Sequence, residues 1–182
     1  MVKGLDGQDK IALEFGCGLG RNTKLFADKF KRIDGADISQ KYIKKCRQKF
    51  PNSRFYTTNG IRLNGIPANL YDVVFSITVL QHIPVYEIRL NLFKEIHRVL
   101  RLEGWFSAQM GFGERASSMG YYDNYYDAPS TNSACDVRVE KASYLKEDLE
   151  KVGFKNFSYK TFSCADTGDS HQKWIFFRAQ KP

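Results

Sequence analysis

Glu14, Gly16, Gly18 and Gly20 stand at alternate positions within residues 10–21, Lys-Ile-Ala-Leu-Glu-Phe-Gly-Cys-Gly-Leu-Gly-Arg. Glycine lets a turn tighten and lets the backbone come close to a ligand, because no Cβ stands in the way. The apolar run before the loop, Ile11, Ala12, Leu13 and Phe15, is too short for a helix and suits a strand buried on both faces. After Gly20 the spacing turns helical, with Leu25, Phe26 and Phe30 as the apolar face. A buried strand, a glycine loop and a helix N-terminus form a unit that cradles nucleotides. The dinucleotide pattern G-x-G-x-x-G would need a third glycine at position 21, where Arg21 stands. Glu14 suits a ligand carrying a cationic centre and would repel a pyrophosphate. A glycine-rich turn without a ligand is the remaining alternative.

A second acid stands in register with the loop. Asp37 ends the stretch Ile33 to Ile38, which reads as a second strand, and lies 17 residues past Gly20. A carboxylate there can accept both hydroxyls of a ribose; otherwise it is a surface acid at a strand end. The elements that must position these groups follow from the pattern. A first helix is expected over about 20–30. Ser39 is placed to cap a helix that Pro51 stops. Strands are expected at 54–57, 71–77 and 105–110, and a helix from Pro84 to Leu100 carries Ile88, Leu92, Ile96 and Val99 on one face. After an irregular stretch, 111–141, a helix near 142–152 closes at Gly153. Two strands, 155–162 and 173–179, follow on a connector short enough to pair them antiparallel. Strands alternating with helices predict an α/β fold with a mostly parallel sheet and helices on both faces.

The chain resembles the class I S-adenosylmethionine (SAM) methyltransferases of the small-molecule kind, in motifs that run along nearly its whole length. Glu14 to Gly20 resembles the family's motif I, and Gly35-Ala36-Asp37-Ile38-Ser39 its motif II. Tyr71 to Pro84 resembles motif IV and its continuation, and Leu145 to Phe154 the helix leading into the last strands. Arg98 to Gly104 resembles the motif closing the preceding helix, with Leu102 and Glu103 where Pro and Gly are more usual. The resemblance implies a Rossmann-like, doubly wound, seven-stranded, mostly parallel sheet with an antiparallel C-terminal strand, in a single domain over 1–182. It implies SAM as cofactor and S-adenosylhomocysteine as product. It implies Glu14, Gly16, Cys17, Gly18 and Gly20 at the methionine end, and Asp37 with Ile38 at the ribose. Asn59, Gly60 and Ile61 fall at the adenine, Asn59 standing where an acid is usual and able to meet the exocyclic amine through its amide oxygen. Ser76 and Ile77 lie beneath the donor. Cys17 reads as a small space-filler, not a nucleophile.

The sulfonium of SAM is an activated methyl donor, and transfer is an in-line displacement. Alignment, desolvation and exclusion of water can accelerate it, so a fixed catalytic residue is optional. An oxygen acceptor or a protonated amine also needs a base. His82, just past the fourth strand, is either that group or a structural residue at the start of a helix. His171, beside Asp166 and Asp169, is a second candidate if its turn reaches the mouth, and otherwise an exposed turn histidine. His97 reads as structural. The 111–141 stretch is the expected acceptor-recognition loop or lid. Tyr121, Tyr122, Tyr125 and Tyr126 offer flat apolar surface with polar tips, and Asp136 and Arg138 can touch a polar substrate. The alternative is a loop packed by its own aromatics. The expected acceptor is a small molecule methylated on oxygen or nitrogen, ahead of carbon.

Composition excludes several other classes. The 182 residues are 42% hydrophobic and 26% charged, ordinary for one soluble domain. No apolar run has the length of a membrane span or forms a signal-peptide core, so a cytoplasmic protein is expected. Cys17, Cys46, Cys135 and Cys164 are widely spaced, and no metal site is indicated. Of the net +8, residues 21–62 alone carry +9, from twelve Lys/Arg against three Asp. Lys41, Lys44, Lys45 and Lys49 share one helical face, which reads as a solvated surface ahead of a nucleic-acid interface. A monomer or homodimer is expected. The rival readings are the same enzyme acting on RNA or protein, a NAD(P)-binding Rossmann protein, and a non-catalytic cofactor-fold domain.

Overall fold

A computed structural model describes residues 2–113, 119–126, 137–163 and 173–182. In chain order the elements are β1 (Gly7–Phe15), α1 (Arg21–Leu25), β2 (Phe30–Asp37), α2 (Gln40–Lys49), β3 (Phe55–Thr57), β4 (Tyr71–Ser76), α3 (Tyr86–Val99), β5 (Leu100–Phe112), β6 (Arg138–Val139), α4 (Ala142–Val152), β7 (Lys155–Ser163) and β8 (Lys173–Gln180). The sheet runs β3-β2-β1-β4-β5-β8-β7, and β6 pairs with β5. All neighbours are parallel except β8, which is antiparallel to both β5 and β7. The α/β class and the antiparallel C-terminal strand are therefore as expected, with the two-residue β6 as an addition to the seven.

β1 is central because both its faces are apolar. Leu13 and Phe15 join the core that includes Leu92, Phe93 and Ile96 of α3 and Leu145 and Leu149 of α4. Ala12 joins the opposite core with Phe30, Ile33, Val73, Phe75, Val2 and Leu5. The register aligns Phe15 with Ala36, and Glu14 with Gly35 and Phe75, so the carboxyl ends of β1, β2 and β4 form one rim. Ligands of open α/β sheets sit at such a rim, where the strand order reverses.

The first helix and β5 depart from the sequence expectation. The helix predicted over 20–30 shrinks to α1, and Leu25 is exposed. The apolar residues after it go to the sheet: Phe26 meets Phe75 edge-on at 5.7 Å, and Phe30 pairs with Gly7 as the first residue of β2. β5 extends beyond 105–110 at both ends, since Leu100 pairs with Tyr71 of β4 and Trp105 to Phe112 pair continuously with β8. In its early turn Glu103 takes φ 61, the left-handed conformation that the family's usual glycine would supply more easily. The Lys181 ammonium then fastens the chain end to α3, donating to the carbonyls of His97 (2.9 Å) and Leu100 (2.8 Å).

Candidate functional site

The loop between β1 and α1 is tied to β2 by backbone. The N–H groups of Gly16 and Cys17 both donate to Ala36 O, at 2.8 and 3.1 Å. Gly18 is held on both sides: its N–H donates to Asp37 Oδ2 at 2.8 Å, and its carbonyl accepts from the Cys46 thiol at 3.3 Å. The other Asp37 oxygen accepts the Ser39 N–H at 2.9 Å. Asp37 stays half-buried, and each of its oxygens keeps a further lone pair.

The three loop glycines, all at positive φ, serve different ends. A Cβ on Gly16 would lie 2.2 Å from Val79 Cγ2, and one on Gly20 would lie 2.5 Å from the Phe50 ring. Both are required by packing within the protein. A Cβ on Gly18 would meet nothing within 4 Å. Its backbone faces open space beside a carboxylate, and this cradle fits a nucleoside cofactor.

Glu14 lies in β1, one residue before its end. It is buried, and both oxygens are already engaged, Oε1 by Asn22 Nδ2 at 3.0 Å and Oε2 by Thr23 Oγ1 at 2.5 Å. Burial raises its pKa, against the opposing effect of those bonds. Glu14 thus braces the start of α1. Cys17 is buried, and desolvation pushes its thiol far up, which favours the neutral thiol. Ser76 is also buried, its hydroxyl donating to Phe15 O at 3.0 Å, with half-buried Ile77 next to it.

Asn59 stands in the turn that follows β3. Its Oδ1 accepts the N–H groups of Ile61 (3.0 Å) and Arg62 (2.9 Å), so the oxygen shapes the turn and the amide NH2 is the group left outward. That group suits a ring nitrogen of adenine, not the exocyclic amine. Beside it, Ile38 (68% exposed) and Ile61 (42%) present apolar side chains, and Ile38 Cγ2 lies 3.4 Å from where a Gly60 Cβ would be.

The acceptor-side residues separate. Tyr121 is buried, and its hydroxyl donates to Asp148 Oδ2 at 2.9 Å. It is a corrected expectation, an anchor of its segment instead of substrate wall. The Tyr86 hydroxyl donates to Asp148 Oδ1 at 2.9 Å, and the buried Arg89 guanidinium donates to the carbonyls of Ile83 and Tyr121. Burial lowers the Arg89 pKa to about 10. Tyr122 is partly exposed and packs on the rings of Tyr86, Tyr121 and Tyr144 at 4.9–5.0 Å. Burial, then the Asp148 carboxylate, pushes its hydroxyl up to about 12. Tyr125 is exposed, and Tyr126 donates to Glu87 Oε2 at 2.8 Å. Arg138, expected to be able to touch a polar substrate, is buried on β6. His82 is exposed at the end of a 3-10 turn, Leu80–His82, which is joined to residue 137 by Val137 N–H donating to Gln81 O at 2.8 Å. His171 and Asp136 lie outside the described residues.

The sequence reading missed Asn22, Thr23, Val79, Arg89 and Asp148. For the last two a signal existed: each is a charged residue set among the apolar positions of a predicted helix. A cavity of about 350 Å³ lined by Thr23, Ala27, Lys31, Arg32, Ile33, Phe50, Asn52 and Ser53 touches none of Gly18, Asp37 and Ser76. Among the described residues no cluster of His, Cys, Asp and Glu could hold a metal ion.

The profile of a family described as "Methyltransferase domain" matches residues 13–108, more than half of the chain. No curated protein matches it in sequence. Among solved structures, a SAM-dependent methyltransferase from Methanosarcina mazei is similar with TM-score 0.73 and 16% identity, over 99% of this chain and 96% of that one. The cyclase SpnF is similar with TM-score 0.72 and 17% identity, over 98% and 77%. A Haemonchus contortus phosphoethanolamine N-methyltransferase, solved with SAM, is similar with TM-score 0.68 and 17% identity, over 95% and 49%. Likeness at such identities establishes the fold, and the matched profile establishes the family: the chain belongs to the SAM-dependent methyltransferases.

Proposed function

We propose that this protein transfers the methyl group of SAM to an oxygen or nitrogen of a small-molecule acceptor, with residues 1–182 acting as one catalytic domain. The observation that carries the donor half is the bond from Gly18 N–H to Asp37 Oδ2 beside the open side of Gly18. When bound, SAM supplies a methyl group already activated by its sulfonium. Asp37 accepts the ribose hydroxyls through its remaining lone pairs, and Ile38, Gly60 and Ile61 flank the adenine, with the Asn59 NH2 at its edge. Gly16, Gly18 and Gly20 let the backbone lie against the methionine end, and Ser76 and Ile77 form the floor there. Glu14 and Cys17 support the loop from beneath.

On the acceptor side, residues 111–141 act as the recognition loop, with Tyr122 and Tyr125 as its exposed rings. His82 takes the acceptor proton where one must leave. The rim location of His82 and the exposure of both tyrosines support this reading. Titration calorimetry with SAM and with NAD tests the donor assignment, and a folded protein that fails to bind SAM at high concentration overturns it. A screen of small acceptors for SAM consumption tests the rest. Salt-sensitive binding of RNA at low ionic strength would favour a nucleic-acid acceptor instead.

A further inference from the structure

Charge is concentrated in one part of the chain: residues 21–62 carry +9 and all the rest together −1. The structure separates the signs further. The stretch holds no glutamate. Of its three aspartates, Asp34 is buried and pairs with Arg32 at 2.8 Å, and Asp37 accepts the N–H groups of Gly18 and Ser39. Asp28, paired with Lys29, is the one exposed acid of the stretch.

The cations left behind share a face. Phe50, which caps the end of α2, abuts Gly20, which precedes α1, so the two helices lie side by side. Arg47, on the flank of α2 toward β3, donates to Phe55 O. Tyr42, Lys45 and Lys49, at helical spacing, take the flank away from it. Arg21, Lys24, Lys41, Lys44, Lys45 and Lys49 are all exposed, and none pairs with an acid among the described residues. Like charges gathered without acids raise a positive potential that attracts an extended anion.

Apolar side chains stand among these cations. Leu25 on α1 is 64% exposed, Leu19 beside Gly20 49%, and Tyr42 on α2 40%. A nucleic-acid strand would take the charge, but it stacks its bases on aromatic faces, and this surface offers one. Leucines among lysines match the boundary of a bilayer, where aliphatic groups enter the acyl region and ammonium groups reach the headgroups.

We propose that the α1–α2 face docks on an anionic lipid surface, with Lys41, Lys45 and Lys49 on the headgroups and Leu25 and Tyr42 entering beneath them. This rests on the outer face of the two helices and not on the donor site. The experiment is co-flotation of the full chain with vesicles of phosphatidylcholine, alone or with about 30% phosphatidylserine, in about 50 mM and about 500 mM salt. The protein should float with the anionic vesicles at low salt and not with the neutral ones, and high salt should release it. Lys45→Gln should weaken binding about fivefold, and Lys41→Gln/Lys45→Gln/Lys49→Gln about 100-fold, each lysine near the surface adding a similar factor. Leu25→Ser should weaken it about fivefold through lost insertion. Lys155→Gln/Lys160→Gln, on the exposed strand β7, should change it by less than about twofold. All variants should melt within about 2 °C of wild type, as surface changes do. A lower melting point in the triple variant leaves Lys45→Gln to decide.

A wild type that stays off the anionic vesicles at low salt overturns the proposal, as does equal flotation with neutral ones. So does a triple variant that binds within about tenfold of wild type, a Leu25→Ser variant that binds as wild type, or a β7 pair that matters as much as the α2 lysines. A chain that binds oligouridylate and leaves the anionic vesicles alone gives this face to nucleic acid and overturns it too.

Discussion

The Gly18 N–H donates to Asp37 Oδ2 at 2.8 Å, joining the glycine loop to the carboxyl end of β2. One side chain therefore both shapes the loop and stands ready for a ligand beside it. The loop also hangs from Ala36 O by two backbone bonds, so its position does not depend on Asp37 alone.

Replacing Asp37 by alanine should for that reason leave the protein folded while removing charge-assisted bonds worth about 1.5–3 kcal/mol to a ligand. SAM affinity should fall about 10- to 100-fold, read by calorimetry. A variant that binds as wild type would place the ribose elsewhere.

The loop glycines should divide in their response to alanine. Gly16→Ala and Gly20→Ala force a Cβ against Val79 and Phe50, and should each lower stability by about 1–3 kcal/mol or more. Gly18→Ala meets no protein atom and should lose only about 1–2 kcal/mol through its left-handed backbone, yet it should weaken SAM binding most for its effect on stability. Denaturation curves and SAM titrations on the three variants give the comparison.

Glu14 should leave a signature in pH dependence. Burial raises its folded-state pKa above the ordinary 4.5, so the folded chain holds this proton more tightly than the unfolded one. The stability it contributes is full below about pH 4.5 and is lost as pH rises through the raised folded value. Glu14→Gln lacks this component, so its stability relative to wild type should improve as pH rises across that window. Melting temperatures of both proteins from acid to neutral pH would show it, and the opposite trend would mean that the Thr23 and Asn22 bonds outweigh burial.

Asp148 is fully buried and accepts from Tyr86, Tyr121 and Lys151. Removing it in Asp148→Ala strands two tyrosine hydroxyls beside the Arg89 guanidinium, and should destabilise the protein by about 3–5 kcal/mol. Tyr121→Phe should cost about 1–2 kcal/mol. A double-mutant cycle on urea denaturation should find the pair strongly non-additive, since both changes break one network.

Much of the local conformation was legible in the chain because local rules govern it. The positive φ of the glycines at 16, 18 and 20, the strand that ends at Asp37, and the Ser39 cap, whose hydroxyl accepts the Tyr42 N–H, each follow from residue type and nearby sequence. The α/β class followed from hydrophobic periodicity. The extent of α1 was not legible, because Phe26 and Phe30 satisfy a helical spacing and a sheet core equally well, and only the neighbouring strands decide between them. Nor was the division of labour within the site. Glu14, Asn59 and Tyr121 have the right chemistry for ligands, but Glu14 Oε2, Asn59 Oδ1 and the Tyr121 hydroxyl already bond to Thr23, to the 61–62 backbone and to Asp148. A sequence states which groups can bond. Which of them are already engaged depends on partners brought close in space, and for Tyr121 that partner lies 27 residues away.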